Sequence, residues 1–290
     1  MSRRLRQKDD GKGHYVRKRL RVSLGIVFAG LVGLSAVSLT ATSSTVAELH
    51  AMKTDEVSFL EAGDVNATQR IIFIHGSPGS KEGYEDYLSD AALQPYHLIA
   101  VDRPGFGASP QPVQTSLQAQ AESLMPILAR SDKPTFLVGH SLGGPIALQA
   151  ALLYPDKIDG VLLVAPALDP ALESPKWYNY LADTIVANWI LPNDMLLSNI
   201  EMMDLEGELE KLAEQEWGAL SIPVVLVHGE DDDIANPGNS RFGKRKLPSA
   251  TLKMIEDEGH FVLWQNVPLL VNEIKALLAT PSHHDDGNDA

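Results

Sequence analysis

Gly139-His140-Ser141-Leu142-Gly143 carries the pattern G-x-S-x-G, with one hydroxyl at its centre. A serine hydroxyl attacks a carbonyl carbon only when a base takes its proton and nearby donors receive the charge that develops. The flanks of the pattern supply part of that need. Thr135-Phe136-Leu137-Val138 is a short apolar run that reads as a buried strand, and the Ala- and Leu-rich residues 145–154 read as a helix. At a strand-to-helix turn the serine backbone is strained, and residues two positions either side must be small for strand and helix to pass closely. The hydroxyl then stands beside the N–H groups that open the helix, where negative charge is favoured. The context fits the motif, so Ser141 is expected to be a nucleophile.

Other apolar runs alternate with helical stretches around this turn. Residues 57–63, 70–74, 97–101, 161–164, 223–227 and 251–255 read as strands. Residues 116–130 read as one amphipathic helix, with Leu117, Ala121, Leu124 and Leu128 at helical spacing, and 264–278 as a C-terminal helix. The alternation predicts an α/β fold with a mostly parallel central sheet flanked by helices, its working loops at the carboxyl ends of the strands. Between Pro166 and Ile222 the rhythm changes to two helical stretches, 175–191 and 195–217, in which Leu205, Leu209 and Leu212 form an apolar stripe.

With these elements the sequence resembles the α/β-hydrolase family over roughly residues 57–278. Two loops carry the resemblance beside the serine turn. His75-Gly76-Ser77-Pro78-Gly79 is similar to the family's His-Gly-x-Pro loop, and Asp102-Arg103-Pro104-Gly105-Phe106-Gly107-Ala108-Ser109 to its D-x-x-G-x-G-x-S turn. The resemblance implies that the backbone N–H groups of Ser77 and Leu142 form an oxyanion hole. It also implies an architectural role for Asp102, while His75 reads as a structural loop residue rather than a base.

In this family the triad acid follows a late strand as G-x-x-D, which from Gly229 gives Asp232; Asp233, four residues before Pro237, is the fallback. The acidic run Glu230 to Asp233 also reads as a solvated loop or a cation site, though its spacing matches no EF-hand loop. His260, after the acid and beyond the last strand, is the base by that resemblance, in the family's order Ser141, Asp232, His260. Residues 167–220 fall where the family inserts a helical cap. There Trp177, Tyr178, Tyr180, Trp189, Met195, Met202 and Met203 either pack the cap onto the body or line an acyl pocket. Serine at the turn disfavours the dehalogenase and epoxide-hydrolase branches.

A chain of 290 residues can bury a substantial core in one large domain. The absence of cysteine removes disulfides, thiolate nucleophiles and Cys-based metal sites, and leaves the redox compartment open. The net charge of -14 hides an asymmetry: residues 1–21 hold nine Arg/Lys against two Asp, or +7, which leaves -21 for the rest. So acidic a body argues against nucleic-acid binding. Residues 167–220 hold eleven acidic groups against Lys176 and Lys211, a field that disfavours anionic substrates and anionic lipid surfaces.

Residues 22–41 carry no charge and, as a helix, reach about 30 Å, the depth of a bilayer core. They are expected to form a single-pass transmembrane anchor, with the basic segment 1–21 in the cytoplasm and the body on the periplasmic or extracellular side. A cleaved signal peptide ending near Ala41 is the rival reading. Residues 42–56 then form a tether, 57–280 the hydrolase-like domain, and 281–290 a polar tail expected to be disordered. His283-His284-Asp285-Asp286 in that tail is a weak metal-binding pattern.

The expected function is a serine hydrolase that cleaves a carboxylic ester of a small or lipid-like uncharged substrate through an acyl-enzyme, with no metal or organic cofactor. Three alternatives stay open. One is a proline-iminopeptidase-like activity, because the loop at His75 resembles H-G-G-P-G with Ser77 in place of a glycine. The others are acyl transfer to an acceptor besides water and a catalytically silent, membrane-anchored binding module. Acyl chain length and oligomeric state are open from the sequence.

Overall fold

A computed structural model describes residues 50–53, 57–184 and 187–280 of the protein. The uncharged runs pack as the centre of a sheet, because strands buried on both faces have no position left for a solvated side chain. Eight strands form it: β1 (His50–Lys53), β2 (Ser58–Gly63), β3 (Arg70–Ile74), β4 (His97–Val101), β5 (Thr135–His140), β6 (Gly160–Val164), β7 (Val224–Gly229) and β8 (Thr251–Ile255). Their order is β1-β2-β4-β3-β5-β6-β7-β8, antiparallel at β1/β2 and β2/β4 and parallel from β4 onward.

Side chains alternate across the pleat, so one strand feeds two cores. Ile72 and Ile74 join Leu137, Ile146, Leu209 and Trp217 on one face. Ile71 and Phe73 join Tyr84, Tyr87, Leu270 and Ile274 on the other. The covering helices are α1 (Glu85–Leu88), α2 (Leu117–Glu122), α3 (Met125–Leu128), α4 (Gly143–Leu153), α5 (Trp177–Ala182), α6 (Asn193–Ala213), α7 (Gly238–Lys246), α8 (Val262–Gln265) and α9 (Val267–Leu278). The stripe Leu205, Leu209 and Leu212 of α6 is buried against the first face.

Several expected elements differ. The single helix over 116–130 is two, α2 and α3. Ser116 caps α2 by accepting from the Ala119 N–H at 3.3 Å. Pro126 then lacks the N–H that would continue the ladder, and it sits in the first turn of α3 instead. The C-terminal helix breaks in the same way at Asn266, with Pro268 in the first turn of α9. The tether over 42–56 contains a strand, β1, which adds an antiparallel edge. The cap holds short α5 and long α6, with 3-10 turns at Pro170–Leu172, Ala187–Trp189 and Trp217–Ala219.

Among the described residues no helix is long and apolar enough to cross a membrane. The stretch 22–41 expected to be an anchor lies outside the described residues, as do residues 1–21, the signal-cleavage position at Ala41 and the tail with His283 and His284.

Candidate active site

Ser141 follows β5 with φ of +54°, a conformation that costs a side-chain-bearing residue energy. Its N–H donates to the Val164 carbonyl at 3.0 Å, pinning the turn to β6. The flanking glycines are dictated by close approach. A Cβ on Gly139 would lie 2.2 Å from the Gly143 oxygen, and one on Gly143 would lie 2.2 Å from the Ile74 oxygen. Strand, turn and helix therefore pass with no room for a methyl group. Leu142 stands at the head of α4, whose opening N–H groups have no carbonyl partner within the helix. From the other side, the loop after β3 presses against the serine: a Cβ on Gly76 would come 2.8 Å from the Ser141 Cβ. Ser77 is the next residue.

Asp232 and His260 lie in the loops after β7 and β8. His260 Nδ1 is 2.8 Å from Asp232 Oδ2, so in the neutral ring Nδ1–H donates to the carboxylate and the Nε2 lone pair is left to take a proton. The same oxygen takes the His228 Nε2–H at 3.1 Å. Asp232 Oδ1 accepts the Ile234 and Ala235 N–H groups, each at 2.8 Å. Burial alone would raise this carboxyl; the hydrogen bonds from His228 and His260 outweigh it and hold the group well below the usual carboxylate range. Asp233 is exposed, as are Glu230 and Asp231. Of the two acids left open by the sequence, Asp232 is the one that reaches His260, and its neighbours are solvated. Among the described residues, no group of three or more His, Cys, Asp or Glu is arranged to hold a metal ion.

The other two residues weighed as site candidates are built into the frame. Asp102 is fully buried and accepts from the Lys81 N–H at 2.8 Å, Lys81 Nζ at 2.5 Å and the Ala108 N–H at 2.8 Å. His75 is buried too; its Nε2 accepts the Arg103 N–H at 3.0 Å, which puts the ring proton on Nδ1, 2.7 Å from the Gly76 oxygen. Burial, with Arg103 nearby, pushes His75 well below its ordinary value, so it is neutral.

Sequence reasoning did not single out four supporting residues. His140, beside the serine, donates its Nε2–H to the His260 carbonyl at 3.0 Å and so ties the two loops together. Burial and the adjacent His260 push it down to about 3. His228 orients Asp232 from the end of β7 and is itself set by Ser240 at 2.7 Å. Arg103 and Glu201 form a buried pair between the loop after β4 and helix α6, with Nη1 to Oε1 at 2.5 Å. A histidine four residues before the acid was a local signal for His228; Arg103 and Glu201 carried none.

Four of the seven cap residues weighed as packing or pocket residues do not pack the cap onto the body. Trp177, Tyr178, Tyr180 and Trp189 are 73%, 50%, 57% and 88% exposed. The reason is local: α5 is a six-residue helix whose one buried side chain, Asn179, bonds to Asn199 of α6 at 2.9 Å, leaving its aromatic faces outward. Met195 and Met203 are half-buried, and Met202 packs on the core.

Comparison with known proteins fits this architecture. Lipase 3 of Moraxella sp. (strain TA144) is 25% identical over 259 residues, covering 77% of this chain and 81% of its own. The pimeloyl-[acyl-carrier protein] methyl ester esterase of Neisseria meningitidis is 25% identical over 237 residues, with 67% and 72% covered. The crystal structure of a lipase-esterase related protein from Clostridium acetobutylicum superposes with a TM-score of 0.62 at 19% identity, covering 77% of this chain and 99% of that one. Residues 71–273 match the family model described as alpha/beta hydrolase family, a span that runs from β3 into α9 and takes in every residue of the site. A match of that extent on this sheet shows that the chain belongs to the alpha/beta hydrolase family.

Proposed function

We propose that the protein is a serine hydrolase that cleaves carboxylic esters of small or lipid-like uncharged substrates. The observation that carries the reading is the His260 Nδ1 to Asp232 Oδ2 hydrogen bond at 2.8 Å, which leaves His260 Nε2 as a base, together with Ser141 on the strained turn after β5. As Ser141 Oγ bonds to the ester carbon, its proton passes to His260 Nε2 and the carbonyl pair moves onto oxygen. The N–H groups of Ser77 and Leu142 receive that oxyanion. Collapse breaks the ester C–O bond, and the leaving alkoxide takes the proton from His260. Water, deprotonated by the same nitrogen, then releases the acid from the acyl-serine. Asp232 stays ionised throughout and stabilises the imidazolium.

The relatives named as a lipase and a methyl ester esterase support ester cleavage. The acidic cap supports an uncharged substrate, since residues 167–220 hold eleven acidic groups and only two basic ones, Lys176 and Lys211. A panel of neutral aryl esters of increasing acyl length, the same acyl groups on coenzyme A, and aminoacyl amides tests the reading. Neutral esters should give the highest kcat/KM; faster turnover of aminoacyl amides would replace the ester assignment with an aminopeptidase one.

We also infer that residues 22–41 anchor the protein in a membrane with the body on the non-cytoplasmic side, from the uncharged run and the +7 segment before it. Protease added to intact spheroplasts should digest the body. A protected body, with a C-terminal reporter active in the cytoplasm, would exclude this topology.

A further inference from the structure

The peptide that joins Gly76 to Ser77 is held from behind. Its carbonyl, Gly76 O, accepts from Arg103 Nη2 at 2.9 Å and from the His75 ring at 2.7 Å. Arg103 also donates Nε to the His75 carbonyl at 3.0 Å, so one guanidinium grips two successive carbonyls of this loop. In a trans peptide the carbonyl and the N–H point in opposite directions. Two donors on Gly76 O therefore fix where the Ser77 N–H points, and Gly76 itself abuts Ser141.

Arg103 is 2% exposed and depends on a counter-charge that comes from elsewhere in the chain. Glu201, also 2% exposed, lies on cap helix α6 and receives Arg103 Nη1 on Oε1 at 2.5 Å and Nη2 on Oε2 at 3.1 Å. The bidentate fork fixes the guanidinium plane as well as its charge. Gln120 of α2 completes the network: its Oε1 takes Arg103 Nη1 at 2.5 Å and its Nε2 donates to Glu201 Oε1 at 3.2 Å. Glu201 Oε2 also accepts the Ser77 hydroxyl, so the cap touches the same loop directly. Seven residues on, Glu208 accepts the Leu117 N–H at 2.9 Å, and Gln215 pairs with Gln149 at 2.8 Å. The spacing of seven aligns these polar contacts into one seam of the cap on the body.

We propose that Glu201 is a positioning residue: seated in the cap, it holds Arg103, and through Arg103 it sets the Gly76–Ser77 peptide whose N–H receives the oxyanion, so that seating of α6 and competence of the oxyanion hole are one event. This rests on the hydrolase reading given above.

The test compares the full chain with Glu201→Gln, which keeps the size and the hydrogen bond to Ser77 but drops the charge that holds Arg103. Two readouts are taken: ester kinetics, and amide hydrogen exchange of the segment 71–84 by mass spectrometry. The expected result is a kcat lower by about 10- to 100-fold, less than outright loss of an oxyanion donor, with KM little changed and faster exchange over 71–84. Should this variant fail to fold, Arg103→Met with Glu201→Leu removes both charges together, leaves no lone buried ion, and should show the same two effects. Unchanged exchange in a folded variant would overturn the proposal, and so would faster exchange with unchanged kcat. A parent without esterase activity would instead refute the hydrolase reading, while its exchange response to Glu201→Gln still decides whether the cap holds the loop.

Discussion

Asp232 holds His260 at 2.8 Å through Nδ1 with its own carboxylate fully shielded from solvent and supplied with three further donors. A carboxylate with four donors has no capacity left for another partner and no freedom to turn. The pair is therefore built to keep one tautomer of His260, and the chemistry follows from which nitrogen is left free.

Asp232→Asn keeps the shape but places an amide where the Nδ1–H needs an acceptor of negative charge. It should lower kcat by about 10⁴-fold, as loss of the triad acid does in serine hydrolases generally, with the fold intact by circular dichroism. A variant within tenfold of the parent would remove Asp232 from the mechanism.

Asp102→Asn separates architecture from chemistry. Asp102 neutralises the buried Lys81 ammonium at 2.5 Å and sits on the turn after β4. Removing its charge should destabilise the protein by on the order of 3 kcal/mol in urea unfolding, with kcat per folded molecule close to the parent's. A large fall in kcat without loss of stability would place Asp102 in the reaction.

Gly76→Ala puts a methyl carbon 2.8 Å from the Ser141 Cβ, closer than packed carbons approach. The loop must move off the serine, and a displacement of this kind should cost roughly 100-fold in kcat with a small change in Tm. Full activity would mean that the loop does not contact Ser141 in solution.

Stability should fall as the pH drops below about 6.5, the ordinary histidine value from which His75 and His140 are displaced downward. Both are buried neutral, so below that pH the unfolded chain binds protons that the folded chain refuses, and unfolding is favoured. The slope is up to about 1.4 kcal/mol per pH unit for each group. Urea unfolding between pH 7 and 5 should show a shallower slope for His140→Asn, because it lacks one of the buried histidines displaced downward. Equal slopes for parent and variant would mean that His140 titrates normally.

The strands were legible because runs such as Ile71-Ile72-Phe73-Ile74 have no residue that a solvated surface would need. The serine turn was legible because its demands are local: two glycines, a strand before and a helix after. Pro126 and Pro268 were local signals as well, yet the apolar periodicity across them read as continuous helix. The brace on the loop at Ser77 was not legible. Arg103 and Glu201 are 98 residues apart in sequence, and Glu201 is one of eleven acids in the cap with nothing in its neighbours to mark it as the buried one. Only the packing of α6 against the loop after β4 selects it. The exposed cap aromatics were misjudged for the same reason, since composition does not say which face of a six-residue helix meets the body.

The most direct measurement of the central claim is covalent labelling by a fluorophosphonate, read as intact mass and mapped by peptide analysis. One adduct per chain is expected, on Ser141, abolished in Ser141→Ala and strongly slowed in His260→Gln. A folded parent that takes no label, or takes it on another residue, would contradict the assignment of Ser141 as an activated nucleophile.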